Sequence, residues 1–162
     1  MIYDVTGDIL KTRAAALAHG IAPDDDFNQG LALALHTAWP AMVKDYRHFA
    51  HSHGAKAGDA WIWSGPGARV VNLLTQEPKG DHGAHAGKAT THNVRHALKA
   101  LRKIVERESL SSLALPRLAT GVGGLDWATV RPMIEEALGD LSVPVYVYAT
   151  YHPGVAADEP GV

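Results

Sequence analysis

A glycine-rich run near residue 120 contains the groups best suited to hold a phosphate. Thr120-Gly121-Val122-Gly123-Gly124 follows the short apolar segment Leu113-Ala114-Leu115 and precedes an amphipathic stretch. Loops at the carboxyl ends of strands line the ligand crevice of open α/β sheets, and glycines there let backbone N–H groups approach a phosphate. The same glycines equally suit a tight strand-to-helix turn. Because the run matches neither GxxxxGK(S/T) nor a complete GxGxxG, it does not favour a nucleoside triphosphatase or a dinucleotide dehydrogenase.

Two further loops have polar residues next to apolar segments. In Asp24-Asp25-Asp26-Phe27-Asn28-Gln29-Gly30, three adjacent carboxylates suit a hard cation, but in a polar loop they are more often solvated, so we expect no metal. Asn28 either caps the following helix or faces a ligand. In Gly7-Asp8-Ile9-Leu10, Asp8 either caps a turn or accepts a hydrogen bond from an exocyclic amine.

Histidines titrate near neutral pH, and the chain has ten of them. His82 and His85 fall in the loop that begins at Glu77, where they either take part in proton transfer or are solvated. The histidine spacings match no standard zinc ligand set. His92 and His96 stand at i and i+4 on a helical stretch, which favours surface pairing.

Short apolar segments alternate with helical periodicity along the chain. This pattern predicts an α/β fold with helices on both faces of a sheet. Ser64-Gly65-Pro66-Gly67 is a strong turn signal, so we expect the strands on either side of it to form an antiparallel pair. Strands are predicted near residues 1–5, 17–21, 59–63, 69–74, 113–115 and 143–150.

Helices are predicted between these strands. Residues 29–51 are read as two helical pieces that meet at Trp39-Pro40, because proline ends a helix. A third helix over residues 90–108 has one apolar stripe, and a fourth follows residue 126. Pro132 is tolerated in the fourth helix only in its first turn, with Asp126 or Thr129 as the cap. The stripe of the third helix comprises Val94, Ala97, Leu98, Leu101, Ile104 and Val105.

Composition limits the class of protein. The chain has 162 residues, of which 46% are hydrophobic, a size and composition suited to one globular domain. We expect this domain to span residues 1–152 and the tail from residue 153 to be frayed. A net charge of -2 disfavours general attraction to nucleic acid, and the absence of cysteine excludes disulfides and thiolate chemistry. With no signal-peptide or membrane-spanning pattern, we expect a cytoplasmic monomer.

Four motifs, taken in order, resemble the macrodomain family, in the branch that includes the terminal ADP-ribose protein glycohydrolase and the DarG antitoxin. They are GDIL at residues 7–10, LAHGIAPDDDFNQGLA at 17–32, VVNLLTQ at 70–76 and PRLATGVGGLDW at 116–127. The resemblance extends from Tyr3 to about Thr150. It implies a macrodomain fold, with a mixed, mostly parallel sheet between helices, and ADP-ribose as the ligand, with no cofactor.

The resemblance also implies roles for particular residues. Asp8, with the Ile9 backbone beside it, would hold the adenine amine, and either Tyr148 or Tyr151 would cover the adenine ring. An alternative for Tyr148 is that it fills core space. The other expected ligand-binding residues border the distal ribose and the diphosphate: Asn28, Gln29, Gly30, Thr75, Thr120, Gly121, Val122, Gly123, Gly124 and Leu125.

The catalytic residues of this branch do not carry over. The resemblance implies a lysine after the LLT-like strand end and an aspartate in the glycine-rich loop, but this chain has Gln76 and Gly123 there. A glutamine cannot form a Schiff base, so the lysine mechanism does not transfer. Gln76, His82 and His85 are the catalytic candidates that are left.

We expect a hydrolase that removes mono-ADP-ribose from acidic protein side chains or from a DNA base. The alternative is a non-catalytic ADP-ribose reader. Deacetylation of O-acetyl-ADP-ribose and hydrolysis of poly-ADP-ribose are weaker possibilities.

Overall fold

The structure is a computed structural model that describes residues 1–79 and 87–162. Six strands form one sheet in the order β1-β6-β5-β2-β4-β3, and all neighbouring strands are parallel except β3 and β4. The predicted α/β class and mixed, mostly parallel sheet are confirmed. The elements are β1 (Ile2–Gly7), a 3-10 helix (Ile9–Lys11), β2 (Ala16–Ile21), α1 (Gly30–Ala38), α2 (Pro40–His53), β3 (Ala60–Gly65), β4 (Ala68–Leu74), α3 (Thr91–Arg107), β5 (Leu113–Pro116), α4 (Trp127–Leu138) and β6 (Val145–Tyr151).

Helices cover both faces of the sheet. On one face α3 and α4 pack against alternate side chains of the central strands, and on the other face α1 and α2 do so. Neighbouring residues of β2 therefore point into different cores: Ala16 and Ala18 into the first, and Leu17 into the second. Burial on both faces explains why the parallel strands are continuous apolar runs in the sequence.

The local signals for α1, α2 and α3 are confirmed. Pro40 is the first residue of α2, where its missing N–H costs nothing. The side chain of Thr90 caps α3 by accepting a hydrogen bond from the Asn93 N–H at 3.0 Å. All six residues of the predicted apolar stripe of α3 are buried.

The prediction for α4 is wrong in one respect. The helix begins at Trp127, which puts Pro132 in its second turn and not its first. Proline has no N–H to donate to the carbonyl four residues earlier, so one helical hydrogen bond is absent. The helix nevertheless continues, because Val130, Ile134 and Leu138 are fully buried against α3 and the sheet.

The sequence suggests a frayed tail from residue 153, but the C-terminal segment (residues 152–162) contains one buried side chain. Glu159 is only 3% exposed, and its carboxylate accepts hydrogen bonds from Thr12 Oγ1 at 2.5 Å, the Arg13 N–H at 2.8 Å and Tyr148 Oη at 2.8 Å. The hydroxyl of Tyr146 donates to the Pro160 carbonyl. Polar contacts, rather than an apolar pattern, hold this segment on the sheet.

Among the described residues, none of the helices has the length and hydropathy needed to span a membrane.

Candidate functional site

A cavity of about 570 Å³ opens at the carboxyl ends of β2, β4 and β5. Its volume falls within the usual range for small-molecule sites, about 300–1,000 Å³. Three loops form its walls: the β2–α1 loop, the β4–α3 loop and the β5–α4 loop. The walls include Asp26, Asn28, Gln29, Gly30, Gln76, Lys79, Arg117, Gly121, Val122 and Gly123, and the β2 residues His19 and Gly20 line it as well.

The glycine-rich β5–α4 loop is tightly folded. The N–H of Leu125 donates to the Ala119 carbonyl at 2.9 Å, and that of Gly124 donates to the Gly121 carbonyl at 3.1 Å. A Cβ on Gly123 would lie 2.6 Å from the Ala119 carbonyl oxygen, so no side chain fits there in this backbone conformation. Gly121, Val122 and Gly123 line the cavity.

The remaining predicted residues of that loop build its turns. Gly124 has a positive φ of 80°, and its N–H and that of Leu125 are used inside the loop. Thr120 Oγ1 donates to the Arg117 carbonyl at 3.0 Å. These three residues shape the loop, and they are not among the residues that line the cavity.

The β2–α1 loop is held by its own aspartate. Asp25 Oδ1 accepts from the Phe27 N–H at 2.8 Å, and Phe27 is fully buried. Gln29 is the N-cap residue of α1, so Asn28 lies before the cap and faces the cavity. The first turn of α1 also borders the cavity, and the N–H groups of a helix N-terminus favour an anion.

Lys79 joins the β2–α1 and β4–α3 loops across the cavity wall. Its backbone N–H donates to both carboxylate oxygens of Asp24, at 3.0 and 3.2 Å, and its Nζ lies 2.7 Å from Asp26 Oδ2. The hydrogen bond that Lys79 Nζ donates to Asp26 raises the pKa of Lys79, which keeps the amine protonated. Asp24 and Asp26 are exposed to solvent, as the sequence suggests, and both also bind Lys79. We call these contacts the Lys79 latch.

Gln76 connects the two described ends of the β4–α3 loop through a side-chain hydrogen bond. It is buried, it lines the cavity, and its Nε2 donates to the Gly87 carbonyl at 3.0 Å. Thr75 is fully buried beneath Gly20, and its hydroxyl has no hydrogen-bond partner among the described residues. The other two catalytic candidates, His82 and His85, lie outside the described residues.

A buried histidine under the cavity was missed by the sequence analysis. Nε2 of His19 lies 2.7 Å from Asn72 Oδ1, and the two residues are partners in the β2–β4 register. Burial lowers the pKa of His19, so the imidazole is neutral at neutral pH. The sequence offers little signal for this pair, because a polar residue inside an apolar strand acquires its partner only through sheet register.

Comparison with known proteins identifies the family. A model described as Macro domain matches residues 17–134. The chain is a macrodomain. The solved structure of the macrodomain of Thermus aquaticus DarG has a TM-score of 0.79 and 28% sequence identity to it, covering 92% of this chain and 98% of that one.

Two curated relatives of this macrodomain are named as glycohydrolases. The Thermus aquaticus DNA ADP-ribosyl glycohydrolase is 29% identical over 91% of this chain, which spans 41% of that relative's length. The human ADP-ribose glycohydrolase OARD1 is 23% identical over 89% of this chain and 88% of its own length. The predicted resemblance to this branch of the family is confirmed.

The expected adenine end of this macrodomain is built differently from the cavity. Asp8 caps the 3-10 helix by accepting from the Leu10 N–H at 3.0 Å, and its second oxygen accepts from the Gly154 N–H at 3.0 Å. The Ile9 side chain is buried in the core. None of these four residues lines the cavity.

The two candidate tyrosines at the end of β6 lie in different surroundings. Tyr148 is 5% exposed, it packs in the core, and its hydroxyl donates to Glu159. This favours the packing role over contact with an adenine ring. Tyr151 is 67% exposed and is the aromatic residue accessible to a base.

Proposed function

We propose that this macrodomain is a hydrolase that removes mono-ADP-ribose from modified macromolecules, through an ester on an acidic protein side chain or a linkage to a DNA base. The observation that carries the proposal is the composition of the cavity walls. The glycine-rich loop and the first turn of α1 offer main-chain N–H groups for a diphosphate, while Asn28, Gln76 and Lys79 surround the space expected for the distal ribose. The names of the two glycohydrolase relatives agree with this chemistry.

The reaction requires a positioned water and charge stabilisation. As the bond to the anomeric carbon breaks, the leaving group departs with the bonding electron pair. An ester releases a carboxylate, and a linkage to a DNA base releases a base anion that takes up a proton. Water adds its oxygen to the anomeric carbon, and its proton passes to a base. Lys79, which stays protonated beside Asp26, supports negative charge and does not act as an amine nucleophile.

A non-catalytic reader is the second candidate function, and a specific observation favours it. Gln76 is tied to the Gly87 carbonyl, and the backbone at Gly123 has no room for a side chain. The two positions at which the family resemblance implies a lysine and an aspartate therefore lack both groups. Such a cavity would still bind ADP-ribose.

One experiment separates the two functions. The protein is incubated with glutamate-ADP-ribosylated protein and, separately, with thymidine-ADP-ribosylated DNA, and free ADP-ribose is measured. The hydrolase proposal expects release from at least one substrate. Calorimetric binding of ADP-ribose together with no release from either would contradict the hydrolase and support the reader.

A further inference from the structure

The C-terminal segment contacts Asp8 at the end of β1, the residue for which the family resemblance implies contact with adenine. After β6 the chain turns at His152-Pro153-Gly154-Val155, where the Val155 N–H donates to the His152 carbonyl at 3.3 Å. Proline followed by glycine with a positive φ, here 76°, is the pattern of a type II turn. The turn directs Gly154 and Val155 back to Asp8.

The turn presents a donor and an acceptor to one residue. The Gly154 N–H donates to Asp8 Oδ2 at 3.0 Å, and the Val155 carbonyl accepts from the Asp8 N–H at 2.7 Å. An adenine edge has the same combination, an amine donor beside a ring-nitrogen acceptor. The segment therefore satisfies Asp8 with the hydrogen-bond pattern that an adenine would offer.

The segment also takes up the space at this position. A Cβ on Gly7 would lie 2.8 Å from both the Val155 carbonyl oxygen and the Ala157 nitrogen, so the two backbones are in direct contact. Asp8 is only 8% exposed beneath them. Glu159 anchors the far end of the segment in the core.

We propose that residues 152–157 compete with the adenine end of the ligand for Asp8. The turn at residues 152–155, which we call the Gly154 turn, thereby determines specificity for ligands that contain adenine. The inference rests on the proposed function, since it takes ADP-ribose as the ligand. ADP-ribose makes all of its contacts only when the turn has left Asp8. Its apparent affinity is therefore reduced in proportion to the fraction of molecules in which the turn is open. Ribose 5-phosphate has no adenine, so it enters the cavity without moving the turn.

Gly154→Ala tests the proposal with little disturbance of packing. A Cβ at Gly154 meets nothing within 4 Å, but alanine is strained at a φ of 76°. The substitution therefore loosens the turn, and we expect affinity for ADP-ribose to rise about fivefold while that for ribose 5-phosphate stays the same. Gly67→Ala is a matched control, because Gly67 has a φ of 74° and open space but lies in the β3–β4 turn.

Calorimetry for ADP-ribose, an NMR titration for ribose 5-phosphate and hydrogen exchange at the Gly154 amide give the readouts. The proposal expects faster exchange of this amide in the wild type when ADP-ribose is added. If ADP-ribose affinity is unchanged or lower in Gly154→Ala, or if the ligand protects the amide, the competitor role is wrong and the proposed function is untouched. If neither the wild type nor Gly154→Ala binds ADP-ribose, the proposed function fails together with this inference.

Discussion

The two ends of the expected ligand site differ in how far the chain itself covers them. At the cavity end, the glycine-rich loop and the start of α1 leave an open volume lined by main-chain groups. At the β1–β6 end, the chain covers its own acidic residue, since Gly154 and Val155 use the polar groups of Asp8. Under the two proposals, the diphosphate and distal ribose would bind in the cavity as it stands, whereas adenine would compete with an internal contact at Asp8.

The largest expected effect comes from filling the cavity wall. Gly123→Val forces a side chain against the Ala119 carbonyl and shifts the loop, so we expect ADP-ribose affinity to fall about 100-fold, equivalent to ~2.8 kcal/mol. Gly67→Val is the control, because Gly67 lies in the β3–β4 turn outside the cavity and a Cβ there meets nothing within 4 Å. Calorimetry measures both. Equal affinities for the two variants would mean that the phosphates do not bind at this loop.

At the covered end, removing the buried anchor tests whether the segment is part of the fold. Glu159→Ala leaves three hydrogen-bond donors without their acceptor, and we expect the free energy of unfolding to fall by about 2 kcal/mol. Asp158→Ala, one residue earlier and exposed, should change it little. Urea denaturation compares the two variants, and equal stability would show that the segment contributes nothing to the fold.

A smaller effect is expected from pH, through the histidine under the cavity. Burial keeps the pKa of His19 in the folded state below its unfolded value near 6.5, so protons bind preferentially to the unfolded chain. His19 therefore costs no stability well above pH 6.5, and stability falls as the pH drops through and below that value. We expect a loss of about 1 kcal/mol between about pH 6.5 and 5.5 that is absent in His19→Gln. Parallel pH curves for the two proteins would contradict this assignment.

The smallest effect is expected from the Lys79 latch. Lys79→Met removes one half-buried cation from the cavity wall. We expect ADP-ribose affinity to fall about threefold at low ionic strength, and the loss to be smaller at high salt. Lys44→Met makes the same charge change on α2, which does not line the cavity. A loss that is insensitive to salt, or equal in both variants, would rule out an electrostatic contribution from the latch.

What the sequence predicted well has a local or periodic cause. The apolar stripe of α3, the Pro40 start of α2 and the Gly65-Pro66-Gly67 turn each follow from neighbouring residues, and the structure confirms them. The position of the glycine-rich loop in the cavity wall follows in the same way from its place after β5.

What the sequence did not predict depends on contacts between distant positions. Three pairs of polar residues follow no repeating pattern in the sequence: Glu159 with Thr12, Lys79 with Asp26, and His19 with Asn72. Each pair forms only once the sheet register and the loops have brought its members together. The C-terminal segment was expected to be frayed for this reason, because the groups that hold it are polar and isolated in the sequence.

A structure of the protein with ADP-ribose bound tests the central claim most directly. The account predicts the diphosphate against the backbone of residues 121–123 and the first turn of α1, the distal ribose near Asn28 and Gln76, and the Gly154 turn displaced from Asp8. A diphosphate bound elsewhere would contradict the assignment of the cavity, and an adenine seated on Asp8 with the turn still in place would contradict the competition.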